Sequence, residues 1–122
     1  MKNLTTVIAV LGFWLLPASA EDRQVKLEES LGYLRSIPEA SWVHFERNSV
    51  FVGLLTLTPD LRLVASAAAM AGSRAMDFGC HVYFFEATTA PAKTTDGSLA
   101  FCSASARHGK LTSNTCQGSV VP

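Results

Sequence analysis

Grouped positive charge is missing from this sequence. Ten Lys and Arg residues balance ten Asp and Glu, only 16% of the chain, and the cations stand singly rather than in a basic run or stripe. Nucleic-acid backbones and anionic membrane surfaces are held by clustered cations, so neither is expected as a partner. The sequence also lacks a Gly-rich phosphate loop, a G-x-S-x-G elbow, a C-x-x-C pair and any paired-His spacing. Those absences speak against nucleotide binding, a serine-hydrolase elbow and a structural zinc site. Asp77-Phe78-Gly79 spells a kinase string, but no other part of a kinase accompanies it. No internal repeat or low-complexity linker is present, and no cofactor or metal is expected.

Long apolar runs are scarce too, with one exception at the start. Lys2 is followed by an uncharged stretch from Leu4 to Leu16, then Pro17 and the small residues Ala18-Ser19-Ala20. A positive end, roughly 7 to 15 apolar residues and a small-residue site are what a signal peptidase reads. A membrane span needs about 20 apolar residues, which this run does not reach. The sequence therefore predicts a cleaved signal peptide over 1–20 and one small domain over 21–122. The exported product would be periplasmic or extracellular, with no membrane span. Removing Lys2 leaves nine basic residues against ten acidic.

Cysteine is sparse: Cys80, Cys102 and Cys116. An oxidising compartment predicts one disulfide and one thiol left over. Folding the chain at His108-Gly109 sets Cys102 and Cys116 nearly opposite, so that pairing is expected. Cys80–Cys102 is the competitor, because closing a hairpin around Pro91 sets those two opposite. Cys80 is the expected free thiol, since its strand is the more apolar one.

The remaining pattern is mixed α and β. Leu27, Leu31 and Leu34 recur at helical spacing over Gln24–Ile37, and Pro38 stops that helix. Glu28 and Glu29 then fall on its wet side. Ser41 to Thr56 reads as a hairpin turning at Arg47-Asn48, pairing Glu46 with Ser49, Phe45 with Val50, His44 with Phe51, Val43 with Val52 and Trp42 with Gly53. Thr58-Pro59-Asp60 reads as a helix start, with the helix running to Gly72 or Arg74 along a stripe of small residues. Strands are expected over Phe78–Glu86 and Ser98–Ala106, joined by a loop over Ala87–Gly97. Leu111 to Cys116 is a candidate for a further short strand. The expected fold is an α+β two-layer sandwich in the order α-β-β-α-β-β, its four-stranded, mainly antiparallel sheet carrying two helices on one face. Two layouts remain open. A last hairpin inserted beside the first gives a permuted ferredoxin-like arrangement; a simple succession sets β2 beside β3.

Strand alternation separates two apolar faces. Val43, Phe45, Val50, Val52, Val82 and Phe84 suit the helices. Trp42, His44, Phe51, Tyr83 and Phe85 share the other face, for which no helix is left. A large exposed apolar patch marks an interaction surface, and aromatic residues are enriched there. A cover by the 87–97 loop or the C-terminal segment is the competing expectation. Cys80 and His81 are adjacent on a strand and point to opposite faces, so they cannot form a nucleophile–base pair. His44 and His81 could share a face, while His108 belongs to a turn. The chain is expected to be a non-enzymatic protein-binding domain acting through the aromatic face: a homodimer, an inhibitor, or an immunity-type partner. A small-ligand protein or enzyme with a pocket between helix and sheet, or under the loop, is the alternative.

Overall fold

The computed structural model describes residues 19–89 and 97–117. Residues 1–18, where the signal peptide is expected, residues 90–96 of the long loop and residues 118–122 lie outside the described residues. Ser19 begins the first helix, α1 (Ala20–Leu31), with a capping box: its hydroxyl accepts from the Asp22 amide while the Asp22 carboxylate accepts from the Ser19 amide. Glu21 and Asp22 add negative charge at the positive end of the helix dipole. The helix starts earlier than Gln24 and tightens into a 3-10 segment over Gly32–Ser36. Ile37, next to Pro38, is held extended, as the residue before a proline must be. Leu27, Leu31 and Leu34 are all fully buried.

The first two strands are β1 (Ala40–Glu46) and β2 (Ser49–Leu54). They pair antiparallel from Trp42↔Gly53 to Glu46↔Ser49, in the register that alternation predicts. Helix α2 (Leu61–Met76) follows, then β3 (Cys80–Glu86), β4 (Cys102–Arg107) and β5 (Lys110–Asn114). Thr58 does not cap α2. Asp60 stands at the cap in a left-handed conformation with no side-chain cap bond, and the Thr58 hydroxyl is buried without a partner. Burial of Leu61 sets where the first turn must begin.

The sheet differs from expectation in strand count and direction. It has five strands in the order β1-β2-β3-β4-β5, and β2 runs parallel to β3. The reason lies in α2. Sixteen residues rising about 1.5 Å each carry the chain back along the full length of a six-residue strand. The next strand therefore starts at the end where β2 started, a βαβ crossover. The permuted ferredoxin-like layout is not adopted; succession with β2 beside β3 is. The fifth strand turns back at His108 and Gly109, both at positive φ, and pairs antiparallel with β4.

One core lies between the helices and one face of the sheet. Phe45, Val50, Val52, Val82, Phe84 and Ala104 meet Leu27 and Leu31 of α1 and Leu61, Ala65, Ala68 and Ala69 of α2. The small residues let α2 sit close, with Gly72 against Leu27 and the Cys80 sulfur. Cys102 and Cys116 form a disulfide, and Cys80 is a buried free thiol. Burial pushes that thiol up to about 12, so it is held as the unreactive protonated form.

Candidate functional site

On the face away from the helices, strand pairing brings the five aromatic candidates together. His44 stacks on Phe51 at 5.9 Å, Phe51 on Tyr83 at 5.4 Å, and Trp42 leans on Phe85 at 5.8 Å between ring centroids. Phe51 ties the two groups, lying 6.0 Å from Phe85. Their exposure is unequal. Phe51 and Phe85 are 1% and 0% exposed, Trp42 and Tyr83 are half-buried, and His44 is exposed. Two contacts account for this. Trp42 lies across Gly53, where a side chain would collide with the indole. Gly97, at φ 74°, rests on the Tyr83 ring so closely that a β-carbon would stand 2.5 Å from it. This part of the sheet is thus a second, smaller core, reached by the end of the long loop.

The rest of that face is polar. His81 Nδ1 and the Ser105 hydroxyl lie 2.7 Å apart across β3 and β4. Burial lowers the His81 pKa, which favours the neutral ring at neutral pH. A serine beside a neutral imidazole is the beginning of a nucleophile–base pair. Ser105, however, sits mid-strand in β4, bonded on both sides through the pairing with β3 and β5. The backbone amides of such a strand serve the ladder rather than a developing oxyanion. We read the pair as a cross-strand hydrogen bond. His44 faces Glu46 at 3.6 Å, and His108 meets Asp77 at 2.8 Å in the distant β4–β5 turn. Among the described residues no group of three His, Cys, Asp or Glu could hold a metal ion.

The open apolar surface lies elsewhere, at the carboxyl ends of β2 and β3. Here the chain leaves the two parallel strands in opposite directions. After Leu54 it heads for α2 on the core side. After Glu86, the Ala87 carbonyl meets the Trp42 indole of the aromatic side, and Gly97 rests on the Tyr83 ring. A crevice opens beside the carboxyl ends of these two parallel strands. The groove measures about 520 Å³ and is lined by Leu54 to Leu57, Glu86 to Thr88, and Phe101. Leu55 is 67% and Leu57 70% exposed, with Phe101 at 45% and Leu99 at 57% close by in the chain.

Sequence reasoning missed this groove. Its one signal lay in Leu55-Thr56-Leu57: the sequence carries the hairpin to Thr56, whereas β2 ends at Leu54 and leaves both leucines exposed. Trp42 links the aromatic face to it: the indole N–H donates to the carbonyl oxygen of Ala87, on the groove wall, at 3.1 Å. Searches against protein-family models, curated proteins and solved structures found no match to this chain.

Proposed function

We propose that the protein is an exported binding domain that recognises an apolar segment of another protein through the groove at the ends of β2 and β3. The observation that carries this reading is the exposure of Leu55, Leu57 and Phe101 around one open crevice. Solvent-exposed leucines gathered at a concave site mark an interaction surface. The aromatic face, the surface expected from the sequence, serves as support, because two of its five rings are buried and Trp42 braces Ala87. Export accords with the apolar leader pattern and with the Cys102–Cys116 disulfide. Among the described residues no helix is long and apolar enough to cross a membrane.

A small-ligand reading has one observation in its favour. The groove volume falls within the roughly 300–1,000 Å³ of ligand pockets. Such pockets enclose most of their ligand, whereas two walls of this one are leucines about two-thirds exposed. An open-sided trough suits a chain segment better.

Panning a displayed library of random dodecapeptides against the immobilised protein tests the proposal. Enriched peptides should be rich in apolar residues and should lose binding to Leu57→Asp and Phe101→Asp variants whose melts are unchanged. Enriched peptides that bind those variants as well as the parent would show that the groove is not the site.

A further inference from the structure

Resting on the groove reading, we infer that the segment seated there carries a basic side chain, lysine or arginine, opposite Glu86. Among the described residues lining the groove Glu86 is the one with a charge. It is the last residue of β3, pairs with Leu54 across the ladder, and is exposed. An apolar segment laid along Leu55, Leu57 and Phe101 strips water from this carboxylate. Stripping a charge without giving it a partner is unfavourable.

Among the described residues, the cations near this end are Arg62 and Arg35, and both are engaged elsewhere. The Arg62 guanidinium donates to the carbonyl oxygen of Cys116 at 3.5 Å. Arg35 stacks over the Phe45 ring at 4.9 Å. Glu39 and Asp60 lie on the segments entering β1 and α2 at the same end, so the surroundings are acidic. Complementarity then asks for one cation on the incoming segment. The same carboxylate rejects a segment that places an acid there, which gives the groove selectivity as well as grip.

The probe is a leucine-rich octapeptide with soluble Gly-Ser tails, carrying Lys, Gln or Glu at each of its central positions in turn. Binding to the intact chain is read by fluorescence anisotropy at low and at moderate salt. The expected order is Lys over Gln over Glu. Each step should be about threefold, the size of a partly exposed ion pair, and should shrink as salt is raised. Glu86→Gln should level the series, and Glu86→Lys should invert it. Equal binding of all three peptides, or an unchanged series in Glu86→Gln, overturns the inference while leaving the groove reading in place. If no peptide binds even at low salt, the groove reading itself falls, and this one with it.

Discussion

The indole N–H of Trp42 donates to the carbonyl oxygen of Ala87 across 3.1 Å, while the same ring lies over Gly53 of the neighbouring strand. One side chain thereby performs two tasks. It seals Phe85 from water, and it anchors the first residue of the loop that walls the groove. The link between the aromatic layer and the apolar crevice is therefore physical.

Replacing Trp42 by Phe keeps an aromatic ring and removes the donor. The expected cost is about 1 kcal/mol, the net worth of one hydrogen bond, together with weaker peptide binding at a groove the residue does not line. Gly53→Ala drives the ring off its strand and should cost about 1–3 kcal/mol. In a chain beginning at Glu21, Trp42 is the sole tryptophan, so its emission should shift to the red as the ring moves into water. An unshifted spectrum with an unchanged melt would show that the indole is not held as described.

The disulfide closes a short loop, with a separation of 14 residues between Cys102 and Cys116. Chain-entropy estimates put its contribution at about 3 kcal/mol. Beyond that, it ties the segment after β5 to β4 beneath the N-terminal turns of α2, where Asn114 donates to the Arg62 carbonyl and the Ser66 hydroxyl. Urea unfolding with and without a reductant should differ by that amount. Alkylation of the native oxidised protein should leave Cys80 unmodified and label it only after unfolding. A linked peptide containing Cys80 in non-reducing mapping would contradict the structure.

His81 should make the fold sensitive to mild acid. Burial holds its pKa below the ordinary histidine value, so the unfolded chain takes up this proton at a higher pH than the folded one. The contribution is complete above the unfolded value of about 6.5 and is lost as pH falls through the folded pKa. Stability measured between pH 7.5 and 5 should fall more steeply in the parent than in His81→Gln. Parallel curves would assign the acid sensitivity to other groups.

How much of this was legible in the sequence depends on the range of the interactions. The β1–β2 register follows from a two-residue turn at Arg47-Asn48 and a period of two, both local, and it is seen residue for residue. The disulfide follows from a tight turn between its partners. Parallel pairing of β2 with β3 is set instead by the length of α2, which returns the chain to its starting end. Thr58-Pro59-Asp60 carries every local sign of a cap, yet burial of Leu61 and the left-handed Asp60 override it. The groove was least visible because Leu57, Glu86 and Phe101 meet only after the topology has joined two loops.

Asp60 offers a substitution in the stabilising direction. It holds φ 58° without a side-chain bond to the helix it precedes. The left-handed region costs a non-glycine residue about 1–2 kcal/mol, and glycine is free of that cost while losing more entropy on folding. Asp60→Gly should therefore gain about 0.5–1 kcal/mol by denaturant titration. A loss would mean that the carboxylate near the positive end of α2 matters more than the backbone strain.

The last prediction concerns the N-terminus, where the leader reading and the structure meet. Cleavage after Ala20 would remove Ser19, whose hydroxyl and amide make both bonds of the capping box on α1. It would also place a new α-ammonium group at Glu21, against the positive pole of the helix. Losing such a cap costs about 1 kcal/mol, and the loss should be confined to the first turn. From Gln24 onward α1 is tied down: the Gln24 side chain accepts from the Arg47 amide at 2.8 Å, and Leu27 and Leu31 are fully buried. A chain beginning at Ser19 should be more stable than one beginning at Glu21 by about that amount. In the shorter chain the amides of residues 21 to 24 should exchange with solvent quickly while those beyond Leu27 stay protected. Mass analysis of exported material should find Glu21 first. Export with Met1 retained would overturn the leader reading, and equal stability of the two chains would show that the capping box does not hold α1 in place.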